Sequence, residues 1–266
     1  MLRRWCLPLT TLALLIGSAL AAGSASAAAI APRPGAAHVS PGGLMVRPAG
    51  QGSGRQAGRS EEESTNWSGY ALSGANGAFH SVSASWVEPT GTCTSRSDEY
   101  SSFWVGLDGY SSDSVEQTGT DVDCSGTTPV YYGWYEMYPA YPVNYSNTVR
   151  PGDHLSASVT FSGTSTYTLV LTDSTQGWTR TTTKSEGGLA RASAEVITEA
   201  PSSESGVLPL ADFGTVSYSA SAVNGTSLGT QSPIEIVMID SSGHDKDSTS
   251  AISSGGAFSN TWLRSN

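Results

Sequence analysis

Apolar residues alternate with small hydroxyl residues along several stretches of the chain. Val82, Ala84 and Trp86 alternate with serines, and the same pattern recurs over residues 155–161 and 167–172. Because successive side chains of a strand point to opposite faces, this alternation predicts antiparallel strands with one buried face. Clusters of Gly, Asn, Asp and Ser separate the stretches, and no long amphipathic helix interrupts them. The pattern predicts an all-β fold with about a dozen short strands, in a two-sheet sandwich or a barrel.

The N-terminus has the pattern of a secretory signal. Arg3 and Arg4 precede an apolar run over residues 7–20, and Ala25-Ser26-Ala27 fits a signal-peptidase site. We therefore predict a signal peptide over residues 1–27 and a secreted, extracellular protein that does not contact the membrane after the signal is removed. A membrane anchor is the alternative, but the run is short for a spanning helix.

The next segment, residues 28–63, has a composition that cannot form a core. It is rich in Ala, Gly, Pro and Arg and has few large apolar side chains. Such a segment is expected to be flexible, as a propeptide or a linker. The strand patterns begin after it, so we assign residues 64–266 to the β domain.

Charge is distributed unevenly between these parts. Residues 1–59 contain six arginines and no acidic residue, for a net charge of +6. The rest of the chain has the other seven basic residues and all 23 acidic ones, for a net charge of −16. So acidic a domain is not expected to bind nucleic acid through phosphate contacts. A basic propeptide held on an acidic cleft would be released when the carboxylates are protonated.

Two cysteines remain for the mature protein. Cys6 lies in the signal peptide, which leaves Cys93 and Cys124 as a pair in an oxidising compartment. We expect a disulfide between them. The alternative is two thiols that serve chemistry or bind metal, but no Cys-x-x-Cys or His-x-Cys spacing supports it.

The residue types that remain for catalysis are carboxylates and amides. The four histidines are scattered, with His38 in the arm and only His80 beside a predicted strand. No Gly-x-Ser-x-Gly motif is present, and no cluster of histidines suggests a metal site, so neither a serine triad nor a metal ion or other cofactor is expected.

Two predicted strands carry acidic residues on a single face. Residues 131–139 form an aromatic stretch in which Glu136 shares its face with Trp134. A Glu in such surroundings can bind a ligand or have a raised pKa, although the residues alone favour a core strand whose Glu is paired with a donor of a neighbouring strand. Glu195 and Glu199 likewise share one face of a second strand.

Five short blocks resemble the glutamic peptidases, the eqolisin family first known from fungi. They occur in the family's order and at similar spacings, from about residue 64 to the C-terminus. The blocks are Asn66-Trp67-Ser68-Gly69, Trp104-Val105-Gly106-Leu107-Asp108-Gly109, Gln117-Thr118-Gly119 with Asp121, Trp134-Tyr135-Glu136-Met137-Tyr138-Pro139, and Ala194-Glu195-Val196-Ile197-Thr198-Glu199. Each block alone is weak, but together they are a specific signal.

The resemblance implies a sandwich of two large, curved antiparallel sheets, similar to concanavalin or a jelly roll, and an acid-active endopeptidase. It implies that Glu199 is the general base and that Gln117 is its partner. The cleft and support residues that it implies are Trp67, Trp104, Asp108, Asp121, Trp134 and Glu136. The chain departs from the fungal pattern at Tyr132, where that pattern has an acidic residue, and its cysteines are sparser.

This Glu–Gln pair can perform hydrolysis in acid. Glu199 would take a proton from water, and the Gln117 amide would position that water and donate to the developing oxyanion. We expect a monomer that acts on protein or peptide substrates. Two alternatives remain from the residues: a glycoside hydrolase that uses Glu136 and Glu199, and a carbohydrate-binding module with Tyr132, Trp134 and Tyr138 as a stacking surface.

Overall fold

The computed structural model describes residues 43–48, 61–94 and 97–266. The predicted signal peptide and most of the predicted arm lie outside these residues. Among the residues described, no α-helix is present, and none of the structure could cross a bilayer as a helix. The expected all-β class is confirmed.

Eight strands form one sheet, which we call the front sheet. All neighbouring strands in it are antiparallel, except that β1 and β16 run parallel. Across the sheet the order is β1 (Glu61–Ser64), β16 (Ile234–Met238), β2 (Trp67–Ser73), β11 (Ser193–Glu199), β4 (Ser102–Asp108), β5 (Val115–Ser125), β6 (Thr128–Tyr138) and β7 (Val143–Asn144).

The second sheet, which we call the back sheet, is wholly antiparallel. Its order is β10 (Trp178–Ser185), β9 (Thr166–Asp173), β8 (His154–Ser162), β3 (Ser81–Val87), β14 (Thr215–Val223), β18 (Phe258–Trp262) and β17 (Asp247–Thr249), with β15 (Thr226–Ser227) paired to β14. A small hairpin of β12 (Ser202–Ser203) and β13 (Gly206–Val207) and one 3-10 turn, Leu228–Thr230, complete the elements.

The main hydrophobic core lies between the two sheets. Phe103 and Leu107 of β4 are fully buried there with Trp86 of β3 and Leu169 of β9. Burying a large apolar side chain contributes about 1.5–3 kcal/mol, so this layer supplies much of the stability. The alternation predicted for β3, β8 and β9 is confirmed, because the apolar positions of each strand face this core and the Ser and Thr positions face away.

The predicted disulfide is also confirmed. Cys93, which follows β3, is bonded to Cys124 near the end of β5. The bond therefore ties a loop that leaves the back sheet to a strand of the front sheet. Closing a loop of this length is worth about 3–4 kcal/mol in chain-entropy models.

Buried polar groups connect the sheets at a second place. The Ser68 hydroxyl on β2 donates to the carboxylate of Asp247 on β17. Asn260 Nδ2 on β18 donates to the same carboxylate at 3.2 Å and to Ser68 Oγ at 2.7 Å. Burial raises the pKa of Asp247 to about 7, although the hydrogen bonds from Ser68 and Asn260 act in the opposite direction. The protonated form of Asp247 is therefore the one that this interior favours.

We expect stability to fall as the pH rises through this range. An unfolded Asp titrates near ~3.9, so between about pH 4 and about pH 7 the folded chain keeps a proton that the unfolded chain has released. The contribution of Asp247 is thus fully present below about pH 4 and is lost as the pH approaches 7, by up to about 1.4 kcal/mol per pH unit.

Urea unfolding at about pH 4, 5.5 and 7 measures this effect. Asp247→Asn, which does not titrate, should show a shallower loss of unfolding free energy than the wild type. Asp113→Asn changes an exposed carboxylate and is the matched control. If Asp247→Asn loses stability with pH as steeply as the wild type, the assigned titration is wrong.

Candidate active site

The candidate residues lie on the outer face of the front sheet, which points away from the back sheet. Residues directly opposite each other on antiparallel strands share a face, so the register groups them in rows. The Glu199 row continues through Ser102 to Asp121. The Gln117 row contains Gly106, Glu195 and Glu136, and between the two lies a row of Ile197, Trp104, Gly119 and Trp134. The prediction that Glu195 and Glu199 share one face is confirmed.

The carboxylate of Glu199 is fully buried and accepts three N–H hydrogen bonds. Gly43 N and Asn66 Nδ2 donate to Oε1 at 3.0 and 3.1 Å. Trp104 Nε1 donates to Oε2 at 2.9 Å. Burial raises the pKa of Glu199 well above its ordinary value, and the nearby charge of Glu136 adds to this, whereas the three donors act in the opposite direction. Both carboxylate oxygens are thereby held in fixed positions.

Trp104 connects the Glu199 row with the Gln117 row. Its indole nitrogen contacts Glu199, while the far edge of the ring lies over Gly106. A Cβ at Gly106 would be 2.8 Å from that edge and 3.3 Å from the Gln117 Cβ. Glycine at this position therefore makes room for the indole, and Glu199 and Gln117 lie toward its two ends.

A second glycine allows the close packing beneath Trp104. A Cβ at Gly119 would clash with the Phe103 carbonyl and with the Trp104 side chain. Gly119 belongs to the Gln117-Thr118-Gly119 block, so the glycine of that block has a steric role.

Gln117 is in direct contact with Glu136. The two residues are opposite each other on β5 and β6, and Gln117 Nε2 donates to Glu136 Oε2 at 2.9 Å. Both side chains are almost completely buried. The carboxylate of Glu136 thus fixes the orientation of the amide, and its charge is close enough to Glu199 to affect that pKa.

Asp121 and Trp134 belong to a hydrogen-bonded cluster beside this site. Trp134 Nε1 donates to Asp121 Oδ1 at 2.6 Å. The Tyr132 hydroxyl lies 2.9 Å from Asp121 Oδ2 and 2.7 Å from Asp123 Oδ2. A phenol has one proton, so bonds to both carboxylates require that one carboxyl is itself protonated. Burial raises the pKa of Asp121 to about 7, which favours that protonated state in acid.

The remaining predicted support residues are Asp108 and Trp67. Asp108 accepts hydrogen bonds from the backbone nitrogens of Arg191 and Ala192, at 2.6 and 2.8 Å, and so holds the chain just before β11. Trp67 is opposite Glu199 on β2 and packs edge-on against Trp104, with ring centroids 5.0 Å apart.

A short piece of the predicted arm, residues 43–48, lies across the site. Besides the bond from Gly43 to Glu199, Met45 N donates to the Gly109 carbonyl at 3.2 Å. The Met45 side chain is 7% exposed and belongs to an apolar cluster with Trp67, Trp104 and Trp134. The segment therefore contributes main-chain and side-chain contacts to the same face that carries Glu199.

The contact of Asn66 with Glu199 was not predicted from the sequence. In the sequence Asn66 is only the first residue of the Asn66-Trp67-Ser68-Gly69 block, yet its amide contacts the Glu199 carboxylate directly. The only available signal was its position beside Trp67, which is opposite Glu199 on the neighbouring strand.

Among the described parts of the chain, no group of three or more His, Cys, Asp or Glu side chains could hold a metal ion. The groups that line this face are carboxylates, amides and indole N–H groups. They fit proton transfer to or from a bound water or substrate.

Comparisons with known proteins identify the family. Residues 65–262 match the model of the Peptidase A4 family. The chain is 30% identical over 204 residues to aspergillopepsin-2 of Aspergillus niger, which covers 68% of this chain and 71% of that protein.

Solved structures agree with this match. Scytalido-glutamic peptidase with a transition-state analogue inhibitor has a TM-score of 0.64 and 27% identity, and covers 75% of this chain and 98% of that chain. Aspergilloglutamic peptidase from Aspergillus niger has a TM-score of 0.54 and 27% identity, and covers 62% of this chain and 99% of that chain. These matches favour a peptidase over the glycoside hydrolase and carbohydrate-binding alternatives. The chain belongs to the Peptidase A4 family and is a glutamic endopeptidase.

Proposed function

We propose that this endopeptidase is secreted, works in acid and cleaves peptide bonds with a water activated by Glu199 and Gln117. The proposal is supported by the surroundings of Glu199, which is a buried carboxylate held by three N–H donors at one end of the Trp104 indole. Gln117, oriented by Glu136, lies toward the other end. A general base needs this kind of fixed geometry before its pKa matters.

In the proposed reaction, the Glu199 carboxylate takes a proton from water and the resulting oxygen nucleophile attacks the scissile carbonyl carbon. The Gln117 carbonyl oxygen positions the water, and its NH2 group donates to the oxyanion that forms. Protonated Glu199 then delivers its proton to the leaving amine nitrogen, and the C–N bond breaks. The base is thereby returned to its ionised form.

Acid activity follows from the chemical types of the two residues. A solvated Glu titrates near ~4.3, so its ionised form is available in mild acid, and an amide needs no proton of its own. Burial raises the pKa of Glu199 in the form described here, in which residues 43–48 cover it. Removing that segment would expose the carboxylate to water and lower its pKa toward the ordinary value.

The other predicted residues are proposed to support this pair. Asp121 and Tyr132 would hold the Trp134 indole, and Asp108 would hold the chain before β11, through the hydrogen bonds already described. Trp67 would pack Trp104 against Glu199. None of these groups needs to exchange a proton with the substrate.

We further infer that residues 28–63 form an inhibitory propeptide and residues 1–27 a signal peptide. The family match begins at residue 65, so residues 43–48 precede the matched part of the chain. Gly43 nevertheless donates to Glu199, and Arg47 forms an ion pair with Glu62 at 3.3 Å. Protonation of acidic groups such as Glu62 on β1 would weaken the hold of the basic arm. Cleavage between residue 48 and β1 would then release the part of the propeptide that covers Glu199 and leave residues 61–63 paired in the front sheet. The mature enzyme is proposed to act as a monomer.

Substitution of either member of the pair should reduce proteolysis strongly. We expect Glu199→Gln to lower kcat/KM on casein in acid by about 10²–10⁴, because the base is lost, and Gln117→Ala to lower it by about 10²–10³. The activity of the acid-treated, secreted protein is measured from about pH 2 to about pH 7. Glu204→Gln, an exposed carboxylate, and Gln176→Ala, an amide in the turn after β9, are the matched controls.

Each variant is first shown to be folded by circular dichroism and thermal unfolding. Proteolysis at the wild-type level in both folded site variants would contradict the proposed roles of Glu199 and Gln117. A loss of activity in the controls would mean that the assay reports stability.

The contact between Gly43 and Glu199 should be needed for inhibition. An acetylated peptide of residues 43–48 should inhibit the processed enzyme competitively, because it can restore the covering segment. Replacing Gly43 in the peptide by N-methylglycine removes the N–H donor and should weaken inhibition by about tenfold or more.

Alanine at position 43 is the matched control, because it adds a methyl group but keeps the N–H. A Cβ there would lie 3.6 Å from Glu199 Oε1, which is an ordinary contact. Equal inhibition by the N-methylglycine and alanine peptides would show that this hydrogen bond does not hold the segment.

A further inference from the structure

The side-chain amide of Asn66, at the edge of the candidate site, forms hydrogen bonds through both its oxygen and its nitrogen. Its Oδ1 accepts from Val46 N at 2.7 Å and from Ser64 Oγ at 2.9 Å. Its Nδ2 donates to the Leu44 carbonyl at 3.0 Å and to Glu199 Oε1 at 3.1 Å. A primary amide has two donor hydrogens and an oxygen with two lone pairs, so these four bonds use its full capacity. The fully buried side chain joins the catalytic carboxylate to the segment that covers it.

The contacts to the segment are made with main-chain atoms. Asn66 binds the carbonyl of Leu44 and the N–H of Val46, and the intervening Met45 N–H is bound by the Gly109 carbonyl. The Val46 carbonyl in turn accepts from Thr65 N at 2.8 Å. Main-chain bonds of this kind do not depend on the side chains of the bound segment. These contacts hold the main chain of the bound segment, as in the recognition of an extended peptide.

The segment begins at Glu199 and runs away from it, so its residues can be aligned with those of a bound substrate. Gly43 N lies 3.0 Å from Glu199 Oε1. In the proposed reaction, protonated Glu199 delivers a proton to the leaving amine nitrogen, so a backbone nitrogen at this distance has the position that the leaving nitrogen would take. Residues 43–46 then correspond to the first four residues on the C-terminal side of the cleaved bond.

We propose that Asn66 binds the C-terminal half of the substrate, by its main chain, and thereby ties substrate binding to the orientation of Glu199. This inference rests on the proposed function. The Asn66 amide takes the carbonyl of the second residue after the cleaved bond and the N–H of the fourth. The buried Met45 side chain corresponds to the third residue, where a large unbranched apolar side chain would enter the cluster that contains Trp67 and Val115. The favoured substrates are extended chains that continue for at least four residues beyond the cleaved bond.

N-methylated peptides test this assignment on the processed enzyme, obtained from the full chain by acid treatment. A parent peptide with one cleavage site is compared with two versions, methylated at the amide nitrogen of the third or of the fourth residue after the cleaved bond. In the wild type, each methyl group should lower kcat/KM by about tenfold, because each removes a hydrogen bond. In Asn66→Ala, methylation at the fourth residue should have no further effect, whereas methylation at the third, which faces the Gly109 carbonyl, should keep its full effect.

An equal loss on fourth-residue methylation in wild type and Asn66→Ala would overturn the proposal. Because each comparison is made within one enzyme, the expected lower kcat of Asn66→Ala, which also loses a donor to Glu199, does not affect the result. Asn66→Ser replaces Asn66→Ala if the latter does not fold. If the wild type hydrolyses no parent peptide, the proposed function fails, and the same methylation pattern is then read from peptide binding by fluorescence anisotropy.

Discussion

The carboxylate of Glu199 is buried in the middle of the front sheet, and much of the surrounding structure is determined by that burial. A buried carboxylate is costly unless hydrogen bonds satisfy it. Three different parts of the chain supply the donors: Gly43 from the N-terminal segment, Asn66 from the turn before β2, and Trp104 from β4. Because the Trp104 ring extends from Glu199 at its nitrogen end to the Gly106 position at its far edge and packs closely on Gly119, the glycines of β4 and β5 follow from the same requirement.

Burial raises the pKa of several carboxyl groups in both parts of the fold. This holds for Glu199 and Asp121 on the outer face of the front sheet and for Asp247 between the sheets. Carboxyl groups of this kind are neutral in acid and become charged in a buried place as the pH rises, so we expect each of them to stabilise the folded chain more in acid than at neutral pH. The acidic composition of the β domain by itself fits any soluble secreted protein. The structure adds that several of its carboxyl groups are buried and have raised pKa values.

Much of the fold could be predicted from local pattern. Alternation over residues 155–161 and 167–172 predicted β8 and β9 with the correct buried faces, because a strand repeats every two residues. Counting the cysteines predicted the disulfide between Cys93 and Cys124. The shared face of Glu195 and Glu199 followed from the same periodicity.

The site itself required information that no local pattern contains. Gln117 was singled out only by the family resemblance, since a lone Gln in a strand carries no distinguishing signal. Gly43 and Glu199 are 156 residues apart, and the composition of the arm predicted flexibility rather than a defined contact. Asn66 was likewise invisible as a ligand of Glu199, because its role depends on the pairing of β2 with β11.

In the proposed mechanism, Glu199 and Gln117 act as one unit on a single water. The most direct measurement is kcat/KM for the wild type, Glu199→Gln, Gln117→Ala and the double variant on one peptide in acid. If the pair acts as a unit, removing the second residue after the first costs little, and the double variant should be within a few-fold of the worse single variant. Losses that multiply in the double variant would contradict this mechanism, because they would mean that the two residues act independently.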